Sequence, residues 1–180
     1  MRPILFVACI IALTCQVHKE AAGQEPENNS NAKNAASGSF LDSVAKKNHL
    51  SIEQIKCNTS IDSVFYTDVF SHARFTGDTV VPLSGGLTGA IIEYGNGLSC
   101  FYKFMLVFSF PDKRNTAYIE IYSDCDRDAS AAYTYLRYKL VNDSTFETTE
   151  FYIPANWNKV KSEEKRKYGI SGSGTIYSLD

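Results

Sequence analysis

Tyrosines and a serine–proline pair are the residues of this 180-residue chain whose types and spacing suit ligand chemistry. A hydrophobic run ends in Ser109, Phe110 and Pro111, and the proline must close a strand because it cannot donate a ladder hydrogen bond. Twenty-two residues after Pro111, four aromatic or basic side chains crowd the segment from Tyr133 to Tyr138. Phenol rings with a polar tip suit a membrane interface or a headgroup cradle. Packing of the same tyrosines in the core is the alternative.

The sequence has no comparable pattern of residues for enzyme catalysis or for metal binding. The chain has no Gly-x-Ser-x-Gly elbow, Walker loop or dinucleotide fingerprint, so we expect neither an enzyme nor a cofactor. Carboxylates alternate from Asp124 to Asp128, as at the start of a calcium loop. Ala129 and Tyr135, however, stand where such a loop needs glycine and glutamate. No Cys-x-x-Cys or paired-histidine spacing suggests zinc, so we predict no metal site.

Overall charge and composition narrow the class of protein further. The chain carries 18 Lys and Arg against 20 Asp and Glu, a net charge of -2, so it offers no basic field for nucleic acid. Eleven Tyr and eleven Phe favour strands. The length suits one domain.

The N-terminal region has the layout of a secretion signal. An apolar run over 4–14 follows Arg2 and is too short to span a bilayer, and small residues lie at 21–23. We therefore predict a signal peptide over 1–23, a disordered spacer over 24–38 and a single domain over 39–180. The mature protein would be secreted, with a net charge of about -3. Lipidation of Cys15, as in a bacterial lipoprotein interaction module, is the rival interpretation.

Three of the five cysteines remain after cleavage: Cys57, Cys100 and Cys125. An oxidising compartment would allow one disulfide and one spare thiol among them. The spacing does not choose among the three pairings.

Three Asn-x-Ser sequons begin at Asn28, Asn58 and Asn142. Three is near the number that chance gives in a chain so rich in Asn and Ser. They matter only in a eukaryote, where they are acceptors for N-glycosylation.

Hydrophobic patterning places the elements around these residues. Phe40, Leu41, Val44 and Ala45 have helical spacing and predict a short amphipathic helix. Gly95, Asn96 and Gly97 predict a tight hairpin. β-branched and aromatic runs predict strands over Val64–Phe70, Thr79–Leu83, Ala90–Tyr94, Tyr102–Phe110, Thr116–Tyr122, Phe146–Ile153 and Ile170–Leu179. The sum is a mostly antiparallel β domain with one or two helices, a sandwich or a barrel.

In two further segments, the spacing of the residues fits a helix. Residues 127–140 alternate like a strand, but Ala129, Ala132 and Leu136 also fit a helix, and both interpretations stay open. From Trp157 to Tyr168 the spacing predicts a charged helix that ends at Gly169.

Several of these segments together resemble the actinoporin-like pore-forming proteins. Thr88–Tyr94, a Gly-Asn-Gly turn and Leu106–Pro111 are similar to the central part of that family. Ile119–Tyr122, Tyr133–Leu140 and Tyr168–Gly174 follow in the same order. The resemblance covers roughly residues 60–178, and it is carried by order and spacing.

The resemblance implies a fold and a function. The fold would be an antiparallel β-sandwich flanked by one or two short α-helices, with 127–138 helical. The protein would bind phosphocholine headgroups of membrane lipid, sphingomyelin in particular, and oligomerise on the target-cell membrane into a pore. The positions carried over for the headgroup site are Thr76, Ile91, Ser109, Pro111, Tyr133 and Tyr138. Arg137 stands where a third tyrosine is expected and would contact the phosphate.

Other functions remain open on the same residues. One is a secreted, non-lytic β domain that binds a glycan or another ligand, as the related lectins do. Another is a lipocalin-like carrier, because a run of strands followed by a helix and a last strand has that order.

Overall fold

A computed structural model of the chain describes residues 40–62, 74–97, 99–109, 114–126, 128 and 130–179. These residues form one antiparallel sheet of nine strands, in which each strand pairs with the next along the chain. The strands are β1 (His49–Leu50), β2 (Arg74–Pro82), β3 (Thr88–Gly95), β4 (Cys100–Ser109), β5 (Arg114–Cys125), β6 (Tyr133–Asn142), β7 (Thr145–Ile153), β8 (Ser162–Ile170) and β9 (Ile176–Ser178). The prediction of a mainly antiparallel β domain is confirmed.

Two short helices precede the long strands. The first, α1, covers residues 40–45, where the spacing of apolar residues predicted it. The second, α2 (Ile52–Asn58), was not predicted. A capping box starts α2, because the Ser51 hydroxyl accepts from the Gln54 amide while the Gln54 side chain accepts from the Ser51 amide. A single 3₁₀ turn (Ser84–Gly86) joins β2 to β3.

The hairpin of β3 and β4 buries both of its faces, as its nearly continuous apolar sequence requires. Side chains on one face pack with the helices, in a helix-side cluster of Phe40, Val44, Leu50, Ile55, Ile61, Phe75, Ala90, Ile92, Tyr94, Phe104, Leu106 and Phe108. Side chains on the other face pack with the later strands, in a strand-side cluster of Leu83, Leu87, Ile91, Met105, Val107, Ile121, Phe146 and Ile170. Each large apolar side chain buried this way contributes about 1.5–3 kcal/mol.

Strand order divides the molecule into two ends. In an up-and-down sheet, alternate connections lie at the same end. The β3–β4, β5–β6 and β7–β8 connections therefore share what we call the upper end. The β2–β3, β6–β7 and β8–β9 connections share the lower end, where the Ser84 amide donates to the carbonyl of Asp143 at 2.9 Å.

The helix implied for 127–138 is wrong, because Tyr133–Asn142 is the strand β6. Its pairing with β7 is continuous from Tyr133 opposite Ile153 to Leu140 opposite Phe146. The strand-like alternation of this segment was therefore the correct signal. Cross-strand packing of aromatic and β-branched side chains outweighs the helical preference of the alanines before it.

The charged helix predicted from Trp157 to Tyr168 is also wrong. Residues 154–161 are a loop, and Asn156 has a positive φ of 61° that no helix tolerates. β8 follows and pairs with β7 from Ser162 to Gly169. The strand predicted over Ile170–Leu179 is interrupted by a turn over 171–175, so that only Ile176–Ser178 form β9.

Some predictions lie outside the described residues. These are the signal peptide, the spacer, the strand over Val64–Phe70 and the position of Pro111. No helix within the described part combines the length and the apolar character that a bilayer crossing needs.

A disulfide joins Cys100 and Cys125, which are cross-strand partners where β4 begins and β5 ends. This is one of the three pairings that the sequence left open. Cys57 is not a free thiol in this structure, so the expected spare thiol does not lie there.

The contact between Gly77 and α1 gives a test of the fold. A Cβ on Gly77 would overlap the Cα and the carbonyl group of Val44, so α1 would have to move off the sheet. We expect Gly77→Ala to lower the free energy of unfolding by about 1–3 kcal/mol in urea titrations. Gly172→Ala is the matched control, since a Cβ there meets no atom within 4 Å. Equal stability of the two variants would contradict this packing.

Candidate ligand-binding groove

Lys103 is the charged centre of the upper half of the sheet. It lies in β4 on the same face as Met105, and its cross-strand partners are Glu93 and Tyr122. Its Nζ lies 2.7 Å from Oδ2 of Asp78 and 3.3 Å from Oε2 of Glu93. Asp78 reaches Lys103 because a register shift between Gly77 and Thr79 leaves it unpaired in the ladder. Two carboxylates therefore neutralise one ammonium group.

The ion cluster fixes the charge of Lys103. Burial alone would lower the pKa of Lys103, but hydrogen bonds and charge interactions with Asp78 and Glu93 outweigh it, so the pKa is raised. The Lys103 side chain is 23% exposed, so solvent screens the pair only in part. Lys103 therefore stays protonated and ion-paired with Asp78 and Glu93.

An open groove of about 510 Å³ lies over this cluster at the upper end. We call it the Lys103 groove. Its lining residues are Glu93, Ser99, Phe101, Lys103, Tyr122, Asp124, Cys125 and Asp126. Three of them are carboxylates and one is an ammonium group, so the groove has a net negative charge. Phe101, with 54% of its surface exposed, is its most accessible ring.

The rim of the groove is held by covalent and backbone contacts. The Cys100–Cys125 disulfide closes the ends of β4 and β5, and the Asp126 amide donates to the Ser99 carbonyl at 2.8 Å. In the β3–β4 turn, the Asn96 side-chain oxygen accepts from the amides of Ser99 and Cys100, both at 3.1 Å. The groove is therefore built on a fixed rim.

One wall continues into a stack around Arg137. Its guanidinium carbon lies 4.5 Å from the centre of the Tyr122 ring and 4.6 Å from that of Tyr135. The ring of Tyr135 in turn stacks on Phe151 at 4.8 Å. Arg137 also pairs with the carboxylate of Asp124. Because its guanidinium is sandwiched between rings and paired, Arg137 acts here as a structural cation.

Asp124 and Tyr133 perturb each other. Burial would raise the pKa of Asp124, but hydrogen bonds from Tyr133 and Arg137 and the charge of Arg137 outweigh it and lower that pKa. Burial, and then the hydrogen bond to Asp124, raise the pKa of Tyr133 to about 12. Asp124 is therefore ionised and Tyr133 protonated at neutral pH.

The two tyrosines predicted for the headgroup site do not lie together. Tyr133 and Tyr138 are five residues apart in an uninterrupted ladder, so they project from opposite faces of β6. Along the strand they are separated by about 17 Å. Tyr138 packs against the strand-side cluster, where burial raises the pKa of its phenol. Lys103 and Asp78 are close enough to Tyr138 to affect that pKa as well.

The remaining predicted residues are dispersed. Ile91 is 1% exposed and belongs to the strand-side cluster. Ser109 ends β4 opposite Arg114 near the lower end, and Thr76 lies opposite Glu93 on the face of Lys103. None of these residues lines the Lys103 groove. Tyr133 and Arg137 adjoin it through their hydrogen bonds to Asp124, and Thr76 and Tyr138 lie near Lys103. Ile91 and Ser109 make no such contact.

One sequence feature, a lysine on the core-facing side of β4, could have indicated the groove. Phe101 and Lys103 continue the alternation of Met105 and Val107 along β4. A lysine on the core-facing side of a strand needs partners. Those partners, Glu93 and Asp78, became identifiable only with the strand register and the bulge.

No family model, no curated protein and no solved structure matches the chain. Within the described residues, no group of three His, Cys, Asp or Glu side chains is placed to hold a metal ion.

The pairing of Asp124 with Tyr133 can be tested by titration. In Asp124→Asn we expect the pKa of Tyr133 to fall below about 12, because the carboxylate that favours the neutral phenol is lost. The ¹³Cζ shift of Tyr133 between pH 8 and 13 reports this pKa. Asp143→Asn, at the lower end, should leave it unchanged. An unaltered pKa in Asp124→Asn would show that the pair does not form in solution.

Proposed function

We propose that the protein is a secreted β domain that binds an organic cation in the Lys103 groove. The observation that carries this proposal is the combination of exposed aromatic surface and net negative charge in one concave site. Phe101 offers an exposed ring, and Glu93, Asp124 and Asp126 place carboxylates in the same lining. Ammonium groups bind to aromatic faces by cation–π attraction, which carboxylates reinforce.

The charged residues of the groove differ in whether they form ion pairs. Lys103 is neutralised by Asp78 and Glu93, and Asp124 is paired with Arg137. Asp126 is exposed, and no salt bridge joins it to another described residue. A cation entering the groove therefore meets Phe101 and Asp126 without displacing an existing ion pair.

A quaternary ammonium such as choline matches this chemistry. It has no N–H donor, so it depends on ring faces and on nearby negative charge, both of which the groove supplies. The phosphocholine headgroup predicted from the sequence carries the same cation. The proposed ligand is therefore the choline cation that the sequence predicted, but we place its site in the Lys103 groove and not at Tyr133 and Tyr138. The Cys100–Cys125 disulfide supports an oxidising, extracellular setting.

A second candidate function is binding of the same cation on a lipid surface. Trp157, 54% exposed, and Val160, 38% exposed, lie with Lys159 and Lys161 in the β7–β8 loop. This loop belongs to the upper end, as the groove does. Exposed Trp flanked by Lys is typical of side chains that sit at a membrane interface. This second candidate function would also accommodate the β-sandwich fold and the assembly on membranes that the sequence resemblance implies.

Binding of soluble choline tests the first proposal. We expect choline chloride and phosphocholine to bind the mature chain in calorimetric titrations at low salt, more weakly as salt rises. Phe101→Ala should weaken binding about 2–5-fold, since an exposed cation–π contact is worth about 0.5–1 kcal/mol. Asp126→Asn should also weaken it. Trp157→Ala is the matched aromatic control and should bind soluble choline as the parent does.

Some results of these titrations would contradict the proposal. Absence of binding, or equal affinity of Phe101→Ala and the parent, would overturn the groove as the site. Weakening by Trp157→Ala alone would move the site to the β7–β8 loop.

Vesicles test the second candidate independently. We expect the mature chain to sediment with vesicles of phosphatidylcholine and sphingomyelin, and soluble phosphocholine to compete. Trp157→Ala should reduce sedimentation without changing affinity for soluble choline, because it removes the interfacial ring and leaves the groove. Binding of soluble choline without sedimentation would reject the lipid surface and leave the free cation as the ligand.

A further inference from the structure

Two Asn-x-Ser sequons lie in the described residues, and the structure distinguishes them. One begins at Asn142, at the end of β6, and the other at Asn58, at the end of α2. A sequon is compatible with a glycan when its asparagine is exposed and the folded protein leaves room for a bulky substituent. The contacts of the two asparagines differ on both points.

Asn142 is exposed at the end of β6, directly before the two-residue turn to β7. Its Oδ1 accepts from the amide of Ser144 at 2.9 Å and from the Ser144 hydroxyl at 3.1 Å. Both contacts use the oxygen, and among the described residues no acceptor takes a hydrogen bond from Nδ2. The carboxamide nitrogen therefore faces solvent, with the sequon hydroxyl held against the same carboxamide.

The turn that presents Asn142 is fixed by its backbone. The Asp143 carbonyl accepts from the amide of Ser84 at 2.9 Å, and the Ser144 carbonyl accepts from the amide of Ile170 at 2.8 Å. The backbone of the turn is thus tied to its neighbours while the Asn142 side chain projects outward. A substituent on that side chain would leave these hydrogen bonds intact.

Asn58 has the opposite arrangement. Its Nδ2 donates to the carbonyl of Gln54 at 2.8 Å in the last turn of α2. The hydroxyl of the sequon serine, Ser60, donates instead to Oδ1 of Asn115 at 2.6 Å. A glycan on Asn58 would crowd the contact at the end of the helix, and the sequon hydroxyl is directed to another strand.

We propose that Asn142 is an N-glycosylation site and that Asn58 is not. The donor is a polyprenyl-diphosphate-linked oligosaccharide. Nδ2 of Asn142 attacks C1 of the first sugar, the N–C1 bond forms, and the C1–O bond to the diphosphate breaks. The diphosphate leaves with the bonding electron pair, and one amide proton passes to a base of the transferase. Nothing is oxidised or reduced.

The position of Asn142 has a functional consequence. It lies nine positions along β6 from Tyr133 at the upper end, a distance of about 30 Å along an extended strand. A glycan at the lower end leaves the Lys103 groove open, so the parent and the unglycosylated protein should bind choline equally. The inference rests on the secretion that the proposed function includes, and not on the ligand of the groove.

Expression of the full chain in eukaryotic cells tests this inference. We expect the secreted protein to carry one N-glycan on the Asn142 peptide, removable by peptide N-glycosidase and located by mass spectrometry. Asn142→Gln and Ser144→Ala should both lose this glycan, whereas Ser144→Thr should keep it because the hydroxyl remains. Asn58→Gln is the matched control and should migrate with the parent.

Each outcome has a distinct meaning. Secreted protein without a glycan on Asn142, or with one on Asn58, would overturn the inference and leave the proposed function standing. Protein retained in the cytosol without a glycan would overturn the secretion on which both depend. Unchanged glycosylation in Ser144→Ala would show that the sequon hydroxyl plays no part.

Discussion

Burial of both faces of the β3–β4 hairpin is the constraint on which the rest of the structure depends. One face requires the two helices as a cover, and the other requires the later strands. The strand-side cluster, with Ile91 and Met105 in the centre, is continued toward the upper end by Glu93 and Lys103 on the same face. The groove therefore begins where the apolar burial ends, and its charged residues are placed by the same register that builds the core.

The two ends of the sheet differ in what they present. At the upper end, the connections surround a negatively charged groove, an exposed phenylalanine and a loop with Trp157. At the lower end, turns are tied to one another by backbone hydrogen bonds, and Thr116 donates to the carbonyl of Gly174 at 3.0 Å. The upper end holds the groove proposed to bind a cation, while the lower end closes the sheet and presents Asn142 to solvent.

The sequence predicted what local chemistry determines. The Gly95–Gly97 turn and the apolar runs on each side of it predict the central hairpin, and the apolar spacing over 40–45 predicts α1. The capping box at Ser51 was a readable signal that was overlooked. The segment of β8 was predicted to be a helix, and that of β6 stayed open between helix and strand until the resemblance implied a helix. Only pairing with β7 decides between the two spacings. The groove depends on register and on one bulge at Asp78, neither of which has a local signature.

Nuclear Overhauser contacts between choline and the protein test the central claim most directly. In excess choline, we expect cross-peaks from the N-methyl protons to the ring protons of Phe101, and to those of Tyr122 at the groove wall. Cross-peaks to Tyr138 or Trp157 in place of Phe101, or none to any aromatic ring, would contradict the assignment of the Lys103 groove as the site of cation binding.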